Sequence, residues 1–208
     1  MLMTVPAAPT PVVFVVDDDV SVRESLELLI AHCGWQPVLC ESASEFLAQP
    51  RLPAPSCLVL DVNLPDLNGL DVQTSIGDKR PDMPIIFITG QGDVPISVRA
   101  MKAGAVEFLV KPFDDEILLQ SIADALQRSR DALASEGALD ALRRAYASLT
   151  QREHEVLARV VAGQLNKQVA ADLGISEITV KAHRGKVMRK MKARSLPDLV
   201  RMSALLGI

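Results

Sequence analysis

Pro11-Val-Val-Phe-Val-Val16, followed at once by Asp17-Asp18-Asp19, is the stretch whose reading decides the fold. An unbroken apolar run rich in β-branched residues is the pattern of a strand buried on both faces, as in a parallel sheet covered by helices. Downstream, Ser21 to Cys33 carries Val22, Leu26, Leu29 and Ile30 at helical spacing, and Gly34 follows as a stop. The unit then repeats. Strands are expected at Gln36–Cys40, Cys57–Asp61, Pro84–Thr89 and Val106–Val110, and helices at Ser44–Gln49, Leu70–Asp78, Pro95–Ala103 and Asp114–Arg130. Five strand–helix units in so short a span predict an α/β doubly wound, five-stranded parallel sheet with helices on both faces. In such sheets the ligand site lies outside the carboxyl ends of the strands.

Charge divides the chain in two. Residues 1–147 carry 11 Lys and Arg against 21 Asp and Glu, whereas residues 148–208 carry 11 against 5. An acidic first part joined to a basic last part points to two jobs, the second facing a polyanion. Cys33, Cys40 and Cys57 show no metal-ligand spacing and are read as buried, reduced thiols of a cytoplasmic protein. Aromatic residues are scarce, no apolar run is long enough to span a membrane, and no partner membrane is expected. Residues 1–10 are expected to be disordered, 11–126 to form the first domain, 127–147 a helical or flexible linker, and 148–208 a second domain.

The strand ends carry the chemistry. Asp17-Asp18 ends the first strand, Asp61 the third, Thr89 the fourth, and Lys111-Pro112 the fifth. All lie on one edge of a parallel sheet, so their side chains can converge. Carboxylates gathered there repel one another unless a divalent cation neutralises them, and Mg²⁺, a hard cation with oxygen ligands, suits the set. Asp19 reads as a residue of a solvated turn or a helix cap.

In this order and spacing, with Pro65, Gly69 and the Ala103-Gly104-Ala105 turn, these residues resemble the receiver domain of two-component response regulators, which is CheY-like or flavodoxin-like in fold. Ile88 to Pro95 and Met101 to Phe108 resemble the FixJ subgroup of the NarL/FixJ class in particular. The resemblance implies that Asp61 is the phosphoacceptor, taking a phosphoryl group from a sensor histidine kinase. It implies that Asp18, Asp61 and the Asn63 carbonyl hold Mg²⁺ directly and Asp17 through water, and that Lys111, before a cis proline, and Thr89 contact the phosphoryl group. It further implies a switch in which Thr89 moves toward the phosphate and Phe108 turns inward, promoting a homodimer; Phe108 also reads as a plain core residue. The protein would be no turnover enzyme, only a self-catalysed, Mg²⁺-dependent phosphoacceptor with slow autodephosphorylation.

From Thr150 onward only helical periodicity remains. Thr150 with Glu153 forms a capping box, the helix ends near Gly163, a second helix runs Asn166–Leu173, and Gly174-Ile-Ser176 leads into a third. Helix, short glycine-containing turn, helix is the layout in which the second of the pair reads the major groove. On that third helix Val180, His183, Val187 and Met191 share one face; Lys181, Ala182, Gly185, Arg189 and Lys192 share the opposite one, with Arg184, Lys186 and Lys190 on the flanks. The stretch resembles the four-helix LuxR-type DNA-binding domain, through Leu149-Thr-x-Arg-Glu, Asn166-Lys167, Leu173-Gly-Ile-Ser176, Thr179-Val-Lys181 and His183. By that resemblance Lys181, Ala182 and Gly185 face base edges of double-stranded promoter DNA, while Lys167, Thr179, Arg184 and Lys186 contact phosphates. His183 reads as a packing residue. RNA polymerase is a further candidate partner.

Two other readings compete. Asp17 and Asp19, two apart, also suit a phosphatase of the haloacid dehalogenase type, although Ser21 and the Asp61-x-Asn-x-Pro65 segment do not. A ligand-sensing LuxR-type regulator is the second, against which the acidic strand ends and the few aromatics weigh.

Overall fold

The computed structural model of the chain describes residues 9–77, 79–90 and 94–208. Most of the segment expected to be disordered (1–8), the expected helix end Asp78, and Gln91-Gly92-Asp93 lie outside the described residues.

The chain divides into two compact units, Met1–Ala134 and Ser135–Ile208. In the first, β1 (Val12–Val16), β2 (Gln36–Cys40), β3 (Ser56–Asp61), β4 (Ile85–Thr89) and β5 (Glu107–Val110) form one parallel sheet in the order β2-β1-β3-β4-β5. Four helices separate them: α1 (Val20–His32), α2 (Ala43–Leu47), α3 (Gly69–Gly77) and α4 (Val94–Lys102). After β5 comes α5 (Asp115–Ala147). The period of two along β1 explains the opening run: Val12, Phe14 and Val16 face one core with Leu58, Leu60 and Phe87, while Val13 and Val15 face another with Leu26, Ile30, Ile122 and Leu126. A strand buried on both sides has no place for polar alternation.

The expected helix starts shift by a residue where caps decide them. Ser42 caps α2 by accepting from Glu45 N, so that helix begins at Ala43 and not at Ser44. Residues 127–147, expected as a linker, are helical throughout as the C-terminal part of α5. Cores claim both ends of the stretch. Ser129 is buried in the first unit, its Oγ accepting from Ser56 N at 2.9 Å, whereas Leu142, Ala145 and Tyr146 pack on the core of the second.

The second unit adds α6 (Gln151–Val161), α7 (Asn166–Leu173), α8 (Glu177–Lys190) and α9 (Leu196–Leu206). Thr150 and Glu153 form the expected capping box at α6. Gly174 ends α7 at φ 64°, a left-handed conformation in which a side chain would be strained, and Ser176 caps α8 two residues later. Val156, Leu157, Val169, Val180, Val187, Met191 and Leu199 make the core. Among the described residues, no helix is long and apolar enough to cross a membrane.

Candidate functional site

Parallel register brings the strand ends to one edge. Val16 pairs with Leu60, Asp61 with Ile88, and Thr89 with Val110. Asp17 and Lys111 each lie one residue beyond those pairs, so they flank Asp61 and Thr89. Lys111 Nζ donates to Asp17 Oδ2 at 2.6 Å and to Asp61 Oδ2 at 3.0 Å. Asp17 is fully buried, Asp61 is 6% exposed and Thr89 1%, while Asp18 stands in solvent. Asn63 N donates to Asp61 Oδ1 at 3.1 Å, and Asn63 Nδ2 reaches Thr89 Oγ1 at 3.4 Å. The Lys111–Pro112 peptide is cis.

Electrostatics follow from this packing. Burial pushes the Asp17 carboxyl above its ordinary range, against hydrogen bonds from Lys111 and the Asp19 amide that favour the anion. For Lys111, burial pulls the ammonium down, but hydrogen bonds to Asp17 and Asp61 outweigh it and leave the group raised. Carboxylate oxygens of Asp17, Asp18 and Asp61 lie within 4.8 Å of one another. One ammonium does not balance three such groups. An all-oxygen set of that size, open to solvent at Asp18, fits a hard divalent cation that keeps several waters.

Asp19 is spent elsewhere: its carboxylate caps α1 by accepting from Ser21 N at 2.8 Å. That leaves the phosphatase reading without its second aspartate. Phe108 is half-buried beside Phe87, the ring centroids 6.2 Å apart.

Two supporting residues escaped sequence reasoning. Arg23 Nη1 donates to the Asp17 carbonyl at 2.6 Å, tying α1 to the end of β1. Gln73, buried on α3, donates to the carbonyls of Ala100 and Ala103 at 3.2 Å, closing the end of α4. A polar residue in an otherwise apolar helical stripe was the only signal for Gln73. Gly69, noted in sequence only as a pattern position, has a physical reason. A Cβ there would stand 2.7 Å from the Asp61 carbonyl oxygen and 3.1 Å from the Phe87 ring, so a side chain would displace the strand end that carries Asp61.

On α8 and at its C-cap, Val180, Val187 and Met191 are buried as expected, and His183 is half-buried with a shielded Nδ1 that has no hydrogen-bond partner, which suits packing. Lys181, Ala182, Gly185 and Lys186 are exposed together, and Lys167 is exposed on the first turn of α7. Other expected contacts are partly committed. Arg184 Nη1 donates to Asn166 Oδ1 at 3.2 Å, and Thr179 shares a hydrogen bond with the capping Ser176 hydroxyl at 2.8 Å. Lys190 does not belong to the outward flank. Its Nζ donates to Glu153 Oε2 at 2.7 Å and to the Ser148 carbonyl at 2.9 Å, because α6 packs against the end of α8 and brings a buried carboxylate within reach.

Comparison with known proteins covers both units. Residues 13–123 match the family model of the response regulator receiver domain, and residues 147–203 that of bacterial regulatory proteins of the luxR family. Nodulation protein W of Bradyrhizobium diazoefficiens is 50% identical over 202 residues, covering 97% of this chain and 89% of that protein. Transcriptional regulatory protein FixJ of Rhizobium meliloti is 43% identical over 191 residues, covering 92% and 94%. The low-resolution structure of response regulator StyR matches with a TM-score of 0.84 at 44% identity, over 94% of this chain and 99% of that one. With its acidic strand-end site and its helix-turn-helix unit both matched, the chain belongs to the two-component response regulators that join a receiver domain to a LuxR-type DNA-binding domain.

Proposed function

We propose that the chain is a phosphorylation-dependent transcription regulator of the cytoplasm, which takes a phosphoryl group on Asp61 from a sensor histidine kinase, dimerises through its receiver and binds promoter DNA. The observation that carries this reading is the convergence of Asp61 with Lys111, Thr89, Asp17 and Asp18 at one sheet edge. The Asp61 carboxylate attacks phosphorus, a P–O bond forms, and the P–N bond to the kinase histidine breaks with its electron pair returning to nitrogen. Lys111 balances charge on the moving phosphoryl oxygens, and the Thr89 hydroxyl donates to one of them. Asp17, Asp18, Asp61 and the Asn63 carbonyl would hold Mg²⁺, which supplies charge neutralisation between carboxylates and phosphoryl oxygens. The protein positions and neutralises, without a separate base, and its slow autodephosphorylation resets it rather than making it a turnover enzyme.

The position of Phe108 beside Phe87, on the strand next to Thr89, supports a role for it in reporting the change. Phe108→Leu is expected to keep phosphorylation and to lose phosphorylation-dependent dimerisation, read by sedimentation with and without beryllofluoride. Unchanged dimerisation would remove the switch role.

In the C-terminal unit Lys181 is the long exposed donor on the face assigned to base edges, at one border of it. Lys181→Ala should cost about 1–3 kcal/mol on the preferred operator and relax the base choice there. Lys167→Ala should weaken all sequences alike and lower the salt slope by about 1. Titrations of both variants over a salt series check this; an unaltered operator preference in Lys181→Ala would sink its assignment. The function as a whole is tested by recovering genomic DNA with wild type and Asp61→Asn in the presence of a phosphodonor. Enrichment of discrete fragments by wild type alone is expected, and equal recovery would exclude phosphorylation as the switch. RNA polymerase is the further partner expected at such promoters.

A further inference from the structure

Ile178, in the first turn of α8, is 80% exposed, more than any other large apolar side chain among the described residues. Single exposed apolar residues are ordinary on protein surfaces, so exposure alone says little. Its position says more. At 100° per residue, Ile178, Ala182, Gly185 and Arg189 fall within about 60° of arc, opposite the buried Val180, Val187 and Met191. All four are exposed. Lys181 borders this ridge on one side and Lys186 on the other. The first two turns of the basic face therefore present an uncharged apolar ridge, Ile178–Ala182–Gly185, between two rails of cations.

Gly185 extends the pattern. A Cβ at that position would meet nothing within 4 Å, so neither packing nor backbone conformation demands a glycine. In a helix interior it costs about 1 kcal/mol relative to alanine. What the ridge gains there is depth, a shallow gap just beyond the small Ala182 side chain.

We infer that Ile178 is a specificity residue that reads thymine through its C5-methyl group, with Ala182 and the gap at Gly185 admitting the adjoining base edges. This rests on the DNA-binding reading above. In the major groove only thymine presents a methyl, and apolar side chains are what discriminate it. Lys181 and Lys186 hold the helix against the polyanion, while the ridge between them has no hydrogen-bonding atom in its side chains. Such a surface favours thymine by contact and disfavours bases whose donors and acceptors it would leave unpaired.

The test uses the full chain with a phosphodonor and a randomised duplex pool, selected by wild type and by Ile178→Ser. At an 80% exposed position the serine variant keeps the fold, which an unchanged melting profile verifies. Wild type should select a motif holding thymine at a position where the variant is indifferent. Replacing that thymine by deoxyuridine removes only the methyl, and should weaken wild type about three- to five-fold while leaving Ile178→Ser unchanged. Identical motifs from the two proteins, or a wild type blind to deoxyuridine, would overturn the assignment. So would a variant that keeps the motif but loses promoter activation, since Ile178 would then serve a protein partner. A wild type that selects no motif at all overturns the DNA-binding reading itself, a result distinguishable from the others.

Discussion

An Asp61→Asn protein is expected to take up no phosphoryl group from acetyl phosphate under conditions that label the wild type. Asparagine is close in shape, so the register that pairs Leu60 with Val16 and residue 61 with Ile88 should survive. The nucleophile is lost because the amide lacks the anionic oxygen, and Lys111 keeps Asp17 as its carboxylate partner. One of three crowded carboxylates is gone, so the fold should be as stable as before or slightly more so. Intact-protein mass spectrometry and phosphate-affinity gels read the outcome, with a melting curve as the control for folding. Labelling of Asp61→Asn at the wild-type stoichiometry would move the acceptor to another residue. Labelling should also disappear when Mg²⁺ is chelated and return when it is restored.

Lys190→Ala should destabilise the C-terminal unit by about 1–3 kcal/mol, the scale of taking a hydrogen-bond partner from a buried group, since the lysine end of the pair is itself 35% exposed. Glu153 is left with the Thr150 amide while losing the ammonium at 2.7 Å, and the Ser148 carbonyl loses its donor. For a unit of this size the melting transition should fall by roughly 10 °C. The pair also predicts a pH dependence. The Lys190 hydrogen bond, then that from the Thr150 amide, hold the Glu153 carboxyl at about 2, below its ordinary 4.5. A depressed carboxyl stabilises fully above its unfolded value and loses that contribution as pH falls through its folded value. Stability of the wild-type unit should therefore decline between about pH 5 and pH 2, with a shallower decline in Lys190→Ala. Calorimetry across that range separates the transitions of the two units. A variant that melts with the wild type at neutral pH would show the pair to be solvated.

These two residues also mark the reach of the sequence. Asp61 was legible because a parallel sheet aligns its strand ends, and an acidic residue closing an apolar run stands out at each one. Asp17, Asp18, Thr89 and Lys111 were found by the same geometry, and Asp19, legible as a turn or cap residue, is the cap of α1. Lys190 was misplaced because helical angle gives a direction from one axis and knows nothing of the neighbouring helix. α6 supplies Glu153 from 37 residues away, and only packing brings it there. The local partners of Arg184 and Thr179, Asn166 and Ser176, went unannounced for a related reason, since packing and capping supply them. Gln73 and Arg23 bond main-chain carbonyls, whose positions no residue pattern records. The extent of α5 was ambiguous because alanine- and charge-rich sequence suits a helix and a tether equally, until Ser129 and Tyr146 find cores to join.

On α8 and at its C-cap the core is held by Val180, Val187 and Met191, while Ile178 and Gly185 touch no part of it. After gene duplication, a copy could change residues 178 and 185 at almost no cost to folding and so drift toward new promoters. Insulation between sister pathways can then evolve within one helix, before any change in the machinery that receives the signal.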